Sequence, residues 1–250
     1  MARIPVDRVI AKLDELLAKN DYESAREHLL YWLKESENMG DNRAALLLCN
    51  ELMGLCRKLG EGENALMFVE RALNKIKQMK IENNVGAATT YLNSATVFKA
   101  FGKADEAIPL FEKSKSIYEA NLSQDDARLG GLYNNMALAL VDLERFEDAL
   151  SLYEKAIAVM ATLKNKEPEQ AITYLNMASA AEAQYGLENG AEKIAEYTEK
   201  AQALLDIGKE RLDGEYAFAC EKCATVFGYY GYFYYENELK ERSRRIYEGA

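Results

Sequence analysis

The sequence predicts an all-α protein, a right-handed α-solenoid of about six antiparallel helix pairs, and three observations support this prediction. A pattern of apolar and small residues recurs every 40 to 46 residues along the chain. Within each copy, apolar residues are spaced three, four and seven positions apart, which marks one face of a helix. Only three of the 250 residues are proline, so few positions oppose helix formation.

The third and fourth copies show the pattern most clearly. In each, a large residue is followed by a small one and an apolar one, and then by alanine with an aromatic residue four positions later. The positions are Tyr91, Ser94, Ala95, Phe98, Ala107 and Phe111 in the third copy, and Tyr133, Met136, Ala137, Leu140, Ala149 and Tyr153 in the fourth. Small residues let two helices approach closely. This order of residues resembles that of the tetratricopeptide repeat.

The repeats are longer than the 34 residues of the common tetratricopeptide unit. The extra residues correspond to about one added turn on each helix. Repeats of this length resemble those of kinesin light chain and of some bacterial peptide-sensing regulators. The resemblance implies stacked helix pairs with a concave groove that binds peptides, but it does not name a partner.

The remaining copies are found with the same template. The fifth fits at Tyr174, Ala191 and Ala195 if one residue is inserted in the turn at 185–190. The sixth has Glu236 where alanine is expected, which indicates an atypical closing repeat. The prediction is a single domain over residues 1–250, with helix pairs at 1–38, 41–80, 83–121, 125–163, 167–207 and 213–250.

Residues that favour helix ends separate the two helices of each pair. Turns are predicted at 20–21, at 60–62, at Gly102 and at 144–145, where Asn, Asp or Gly mostly supplies the cap. Pro109 lies inside a predicted helix and removes a hydrogen bond to the carbonyl four residues earlier. We expect a kink there but no break, because the Ala107-x3-Phe111 spacing continues across it.

Composition and charge limit the classes of partner. The net charge of −10 argues against nucleic acid, whose phosphates are bound by clustered Lys and Arg. No stretch approaches the roughly 18 apolar residues that a membrane span needs, so no membrane contact is expected. The N-terminal segment lacks an apolar core and a small-residue cleavage site, so we read no signal peptide. A cytoplasmic location is expected.

The cysteines and the single histidine could in principle bind a metal or act in catalysis, but a role in packing explains them better. Cys220 and Cys223 have the C-x-x-C spacing, but they and Cys49 and Cys56 occupy apolar positions of the repeat and are expected inside as small hydrophobes. His28 is the sole histidine, and no motif places a nucleophile near it. No phosphate-binding glycine motif occurs. The sequence therefore predicts no metal, no cofactor and no enzymatic activity.

The candidate binding residues lie two positions after the leading residue of each repeat. They include an asparagine in three successive repeats, Asn93, Asn135 and Asn176, and Glu51 in the second repeat. Because first helices line the concave side of such solenoids, these side chains are expected to form a row along the groove. A carboxamide donates and accepts hydrogen bonds, which suits an extended peptide. The resemblance supports this role, although the asparagines could instead tie neighbouring helices together.

Other groove positions follow from the same register. Positions two before the leading residue hold Thr89, Gly131 and Ile172, and positions five after it hold Thr96, Leu138 and Ser179. The residues at these groove positions are uncharged, so the groove is expected to be partly polar and partly apolar.

The sequence favours a non-enzymatic scaffold whose groove binds a protein or an extended peptide. The alternative is a peptide- or ligand-sensing regulator that acts through a separate output protein. An enzyme has no positive support. Weak self-association through the tyrosine-rich segment at 229–235 is a further expectation.

Overall fold

The computed structural model describes residues 3–249. Within this range it contains eleven helices and no strand, which confirms the all-α prediction. Helix α6 continues through Pro109 without a break, as predicted. The helices are α1 (Val6–Ala18), α2 (Tyr22–Asn38), α3 (Asn42–Lys58), α4 (Gly62–Met79), α5 (Val85–Ala100), α6 (Ala104–Asn121), α7 (Ala127–Asp142), α8 (Phe146–Ala161), α9 (Glu167–Ile207), α10 (Gly214–Tyr229) and α11 (Phe233–Gly249).

Helix α9 contains both helices of the fifth repeat. Gly186 interrupts it with a backbone φ of 78° and ψ of 166°. Glycine adopts a positive φ without strain because it has no Cβ. The turn predicted at 185–190 is therefore a kink at one residue. With the two parts of α9 counted separately, the described helices form the six pairs that the repeats predict.

The template misplaced the second helix of the fifth repeat. Ala191 and Ala195 were expected in the packing positions, but Ala191 is exposed. Gly190 and Ile194 are buried instead, at the spacing that the other repeats use without an insertion. A Cβ at Gly190 would lie 3.1 Å from the carbonyl oxygen of Ala181. The two helices approach so closely that glycine replaces the expected alanine. The sequence pattern, which expects alanine at this position, therefore did not identify Gly190.

The helix ends are defined by capping side chains and by residues in the left-handed region. The carboxylates or amides of five N-cap residues accept a hydrogen bond from a backbone N–H of the first turn, which satisfies one orphan donor. These residues are Asp21, Asp41, Asn84, Asp126 and Asp213. Positive φ angles at Asn20, Gly60, Gly102 and Glu144 end the preceding helices at four of the predicted turns.

The core is built from the repeated apolar positions. The alanines Ala95, Ala107, Ala137 and Ala149 are fully buried, and the aromatic rings of Phe111 and Tyr153 lie beside them in the interior. Small residues at these positions allow the backbones of paired helices to pack closely. None of the helices between residues 3 and 249 is long and apolar enough to cross a membrane.

The contacts divide the chain into two compact units, which meet in sequence between Asn121 and Leu122. Unit 1 contains α1 to α6, and unit 2 contains α7 to α11. Inside each unit, helices of a pair pack on each other and the next pair packs on them. This is the stacking of a solenoid-type repeat. That all six pairs form one domain with a right-handed superhelix stays a prediction.

Candidate functional site

The first helices of the pairs carry the candidate residues. We call the side of each unit that these helices form the first-helix face, made by α1, α3 and α5 in unit 1 and by α7, the part of α9 before Gly186, and α10 in unit 2. The capping residues Asn84 and Asp126 fix where α5 and α7 begin. Each face therefore carries the same repeat positions on successive first helices.

Two of the predicted asparagines are tied to the preceding first helix. In unit 1 the Asn93 Nδ2 donates to the Asn50 Oδ1 over 2.9 Å. In unit 2 the Asn176 Nδ2 donates to the Asn134 Oδ1, also over 2.9 Å. We call each of these bonds an asparagine bridge. The partners Asn50 and Asn134 lie one position after the leading residue, whereas the sequence row placed every member two positions after it.

Asn50 is more heavily engaged than its counterpart. Its Nδ2 donates both to the Leu46 carbonyl oxygen at 2.9 Å and to the Thr90 Oγ1 at 3.0 Å. With the bond accepted from Asn93, this side chain joins α3 to α5 at two points, and its bond to Leu46 holds it to its own helix. Sequence reasoning missed Asn50 as a member of the row, although it shares its position in the repeat with Asn134.

Asn135 differs from the other two predicted asparagines. Its side chain is half-buried on α7 and forms no hydrogen bond with any residue in the range 3–249. Leu138, also predicted for the groove, is half-buried one turn further along the same helix. Asn135 therefore keeps two amide donors and a carbonyl acceptor available.

The predicted hydroxyl groups bond mostly to their own helices. The Thr96 Oγ1 donates to the Leu92 carbonyl oxygen at 2.9 Å, and the Ser179 Oγ donates to the Leu175 carbonyl oxygen at 3.2 Å. Thr89 also has the buried Tyr118 hydroxyl 2.7 Å from its Oγ1, so its side chain is engaged with the second helix of its own pair. Of the three, Ser179 is the exposed one.

Glu51 occupies the row position of the second repeat. It is half-buried on α3, and burial together with the nearby charge of Asp14 raises the pKa of its carboxyl group. No group of three or more His, Cys, Asp or Glu side chains that could hold a metal ion occurs among the described residues. The structure thus puts an acid with a raised pKa, and not an amide, at this point of unit 1.

A small apolar cavity lies on the first-helix face of unit 2. It has a volume of about 380 Å³ and is lined by Ile172 and Glu169 of α9 and by Phe218, Ala219 and Glu215 of α10. Phe218 is 55% exposed. It stands two positions before the leading Cys220, which is the position of Thr89, Gly131 and Ile172 in the earlier repeats. Extending that spacing to the last repeat would have predicted it.

The tyrosine-rich segment is partly anchored to α9. The Tyr229 and Tyr230 hydroxyls donate to the two carboxylate oxygens of Glu182, at 2.5 and 2.9 Å. The neighbouring Phe233 and Tyr234 are 65% and 86% exposed. The segment thus closes the last repeat with some of its rings and leaves others on the surface. Self-association through it stays a prediction.

The cysteines lie in the interior, as predicted, and the histidine contacts a neighbouring helix. All four cysteines are buried and unpaired in the described range, and burial raises the pKa of Cys49 to about 11 and that of Cys223 to about 12. A thiol with such a pKa is a poor nucleophile. The Nε2 of His28 lies 3.0 Å from the Val9 carbonyl oxygen, which links α2 to α1.

Comparison with known proteins identifies the repeat. Family models of the tetratricopeptide repeat match residues 43–120 and 130–163. The chain is 24% identical over 144 residues to Protein KINESIN LIGHT CHAIN-RELATED 3 of Arabidopsis thaliana. That match covers 57% of this chain and 22% of the relative, so the chain spans about a fifth of the length of the curated relative it matches.

Two solved structures share the fold. BtubC (BKLC) from P. vanneervenii has a TM-score of 0.57 and 19% identity, with 99% of this chain and 92% of that chain covered. Bacillus thuringiensis PlcR, solved in complex with the peptide PapR7 and DNA, has a TM-score of 0.58 and 17% identity, with 81% and 70% covered. At these identities the likeness concerns the fold alone. The chain therefore contains tetratricopeptide repeats at residues 43–120 and 130–163, and over 144 residues it is similar to a kinesin light chain-related protein.

Proposed function

We propose that the chain is a non-enzymatic scaffold whose first-helix face binds an extended peptide segment of a partner protein. The observation that carries the proposal is the unused hydrogen-bonding capacity of Asn135 on α7, one first helix before Asn176. Because Asn135 is half-buried, a ligand that covers it must supply hydrogen bonds to its amide, and the main chain of an extended peptide can do so. The fold shared with peptide-bound PlcR supports the same class of partner.

The asparagine bridges prepare the face for a ligand and do not block it. A carboxamide has two N–H donors and a carbonyl oxygen that can accept twice. Asn176 uses one donor in its bridge to Asn134, which leaves its second N–H and its oxygen free to meet a peptide main chain. A side chain already held in one orientation loses less entropy when the peptide binds.

The cavity beside Phe218 supplies a place for a peptide side chain. Ile172, one of its walls, lies one helical turn before Asn176 on α9. Main-chain hydrogen bonds to amides together with a pocket for an apolar side chain form a known mode of recognising extended peptides. We expect the preferred peptide to place an aliphatic or aromatic side chain against Phe218.

A peptide array provides the test. The full chain is bound to an array of random 12-residue peptides, and a selected peptide is then titrated by fluorescence anisotropy. Asn135→Ala and Phe218→Ala should each weaken binding about tenfold, since one lost hydrogen bond or apolar contact is worth about 1.4 kcal/mol. Both positions are partly or fully exposed, so the fold should persist.

The matched control is Asn74→Ala, which removes an exposed amide from the second helix α4. This variant should bind as the wild type does. The proposal fails if the array selects no peptide, or if Asn135→Ala and Phe218→Ala both bind with unchanged affinity.

A peptide-sensing regulator that acts through a separate output protein is the second candidate. The fold likeness to PlcR, which was solved with a peptide and DNA, favours it. A regulator requires the bound peptide to change the conformation of the protein. The hydrogen-exchange rates of amides outside the first helices should therefore change when the selected peptide is added. A scaffold predicts protection at the first helices alone.

A further inference from the structure

A second cavity lies in unit 1, at the start of α3. Its volume is about 620 Å³, which is inside the range of roughly 300–1,000 Å³ found for small-molecule sites. Its apolar walls come from the N-terminal segment and the first residue of α1, the turn between α2 and α3, helix α3, and the end of α4 with the turn that follows it. The residues that form these walls are Ile4, Val6, Met39, Leu47, Met79 and Ile81.

Two arginines stand at this cavity without an ionic partner. Arg3 and Arg43 both line it and both are exposed, and neither pairs with an acid between residues 3 and 249. Other arginines of the chain, such as Arg71 with Glu37, do form ion pairs. In a protein with a net charge of −10, two unpaired guanidinium groups beside one apolar cavity are unexpected.

Asp41 is the one acid at the cavity, and its carboxylate is already used. Its Oδ1 accepts from the Ala44 backbone N–H at 3.1 Å and caps α3. Its Oδ2 accepts from the Ile4 backbone N–H at 3.3 Å and holds the N-terminal segment against the turn. The cavity thus carries a net positive charge from its two arginines.

The backbone around the cavity offers few partners to a peptide. The amides of Ile4 and Ala44 donate to Asp41, the amide of Asp41 donates to the Ser36 carbonyl oxygen at 2.8 Å, and that of Asn42 donates to the Gly40 carbonyl oxygen at 3.0 Å. An extended peptide would leave its own main-chain groups unpaired here, at a cost in binding free energy. A ligand without amide groups avoids that cost.

From these observations we infer that the cavity binds a small aliphatic carboxylic acid, with its hydrocarbon chain against the apolar walls and its carboxylate on Arg43 and Arg3. Guanidinium groups bind carboxylates through charged hydrogen bonds that are stronger than neutral ones. Burial of each methylene group adds to the affinity. The site is separate from the peptide-binding face proposed for unit 2.

The test uses decanoate as the probe, titrated into the full chain by isothermal calorimetry below its micelle concentration. Decylammonium keeps the tail and reverses the charge, and acetate keeps the carboxylate without the tail. Decanoate should bind with one-to-one stoichiometry, and neither comparison compound should bind at the same concentration. Equal binding of decylammonium, or no binding of decanoate, would overturn the inference.

Two variants locate the site, and a third is the control. Arg43→Gln should weaken decanoate binding about tenfold, or about 1.4 kcal/mol. Met79→Glu places a carboxylate at the apolar wall and should abolish binding while the helical circular dichroism is kept. Arg57→Gln makes the same charge change at an exposed position on the same helix, away from the cavity, and should leave binding unchanged. If Arg57→Gln weakens binding as much as Arg43→Gln does, general charge attraction explains the binding and the site is rejected.

Discussion

In both units an asparagine–asparagine hydrogen bond joins two neighbouring first helices. The units differ in the other hydrogen bonds that the asparagines at this point form. Both asparagine bridges run from the later helix to the earlier one over 2.9 Å. In unit 1 the earlier asparagine, Asn50, also bonds to Leu46 and Thr90. In unit 2 the bridge partner Asn134 is followed by Asn135, which bonds to no described residue. The bridge thus occurs in both units, whereas the unbonded asparagine on which the proposed peptide site depends lies in unit 2.

The largest expected effect concerns the closing pair of unit 2. Arg242 is the one buried charged residue in the range 3–249, and its guanidinium donates to Asp206, Glu238 and the Tyr216 hydroxyl at 2.5 to 2.9 Å. Arg242→Met should cost unit 2 about 3 kcal/mol of unfolding free energy, because the buried Tyr216 hydroxyl loses its donor and the partly exposed carboxylates of Asp206 and Glu238 each lose a charged hydrogen bond. Native-state hydrogen exchange should show lost protection in α10 and α11.

The control for this variant is Arg244→Met on the same helix. Arg244 is exposed and pairs with Glu241 on the surface, so its removal should change little. Equal loss of protection in both units after Arg242→Met would show that the two units do not unfold separately.

The bridges themselves should differ in strength. Asn50→Ala removes three hydrogen bonds and should lower the stability of unit 1 by about 2 kcal/mol. Asn134→Ala removes the single bond to Asn176 and should lower the stability of unit 2 by about 1 kcal/mol. Chemical denaturation of the two variants measures both values. If the two variants lose the same stability, the extra hydrogen bonds of Asn50 do not distinguish unit 1 from unit 2.

The last repeat departs from the others at a position that can be tested by a double mutant. Glu236 stands where unit 1 has Ala107, and its carboxylate occupies the space that a Cβ on Gly228 would take. Gly228→Ala should therefore cost about 1 kcal/mol through overpacking. In a Glu236→Ala background the same change should stabilise slightly, because alanine favours helix more than glycine does. Thermal unfolding of the four proteins measures this, and an unchanged sign would refute the contact.

The smallest expected effect is a pH dependence of stability at Glu51 of unit 1. The corresponding asparagines of unit 2 do not titrate and should show none. Burial and Asp14 raise the pKa of Glu51, so the folded state holds this proton more tightly than the unfolded state. Protonated Glu51 therefore favours the folded state at low pH. This stabilisation is lost as the pH rises from the unfolded-state pKa of about 4.3 through the higher pKa of the folded state. Glu51→Gln should raise the melting temperature by about 2 °C at pH 7 and leave it unchanged near pH 3.5.

The exposed Glu70→Gln on α4 is the control for that experiment. It removes the same charge from the protein without touching Asp14. A similar rise in the melting temperature for both variants would assign the effect to net charge and not to the position of Glu51.

The sequence predicted the candidate site in part. The alternative that the asparagines tie neighbouring helices together holds for Asn93 and Asn176 but not for Asn135, and the groove role of all three stays a prediction. The sequence missed Asn50, since the bonded partner lies one position earlier on the preceding helix. That offset depends on how far one helix is rotated relative to the next, which no spacing within a single helix contains.

The repeat period, the helix pairs, the turns and the burial of the cysteines follow from the sequence alone. They depend on local backbone preferences and on the apolar face of each helix, and both are visible along the chain. Only the tertiary structure decided that Gly190 fills an alanine position, that Asn50 is hydrogen-bonded while Asn135 is not, and that Arg3 and Arg43 line the same cavity. These features arise from distances between helices, where differences of about one ångström decide whether a side chain fits or a hydrogen bond forms.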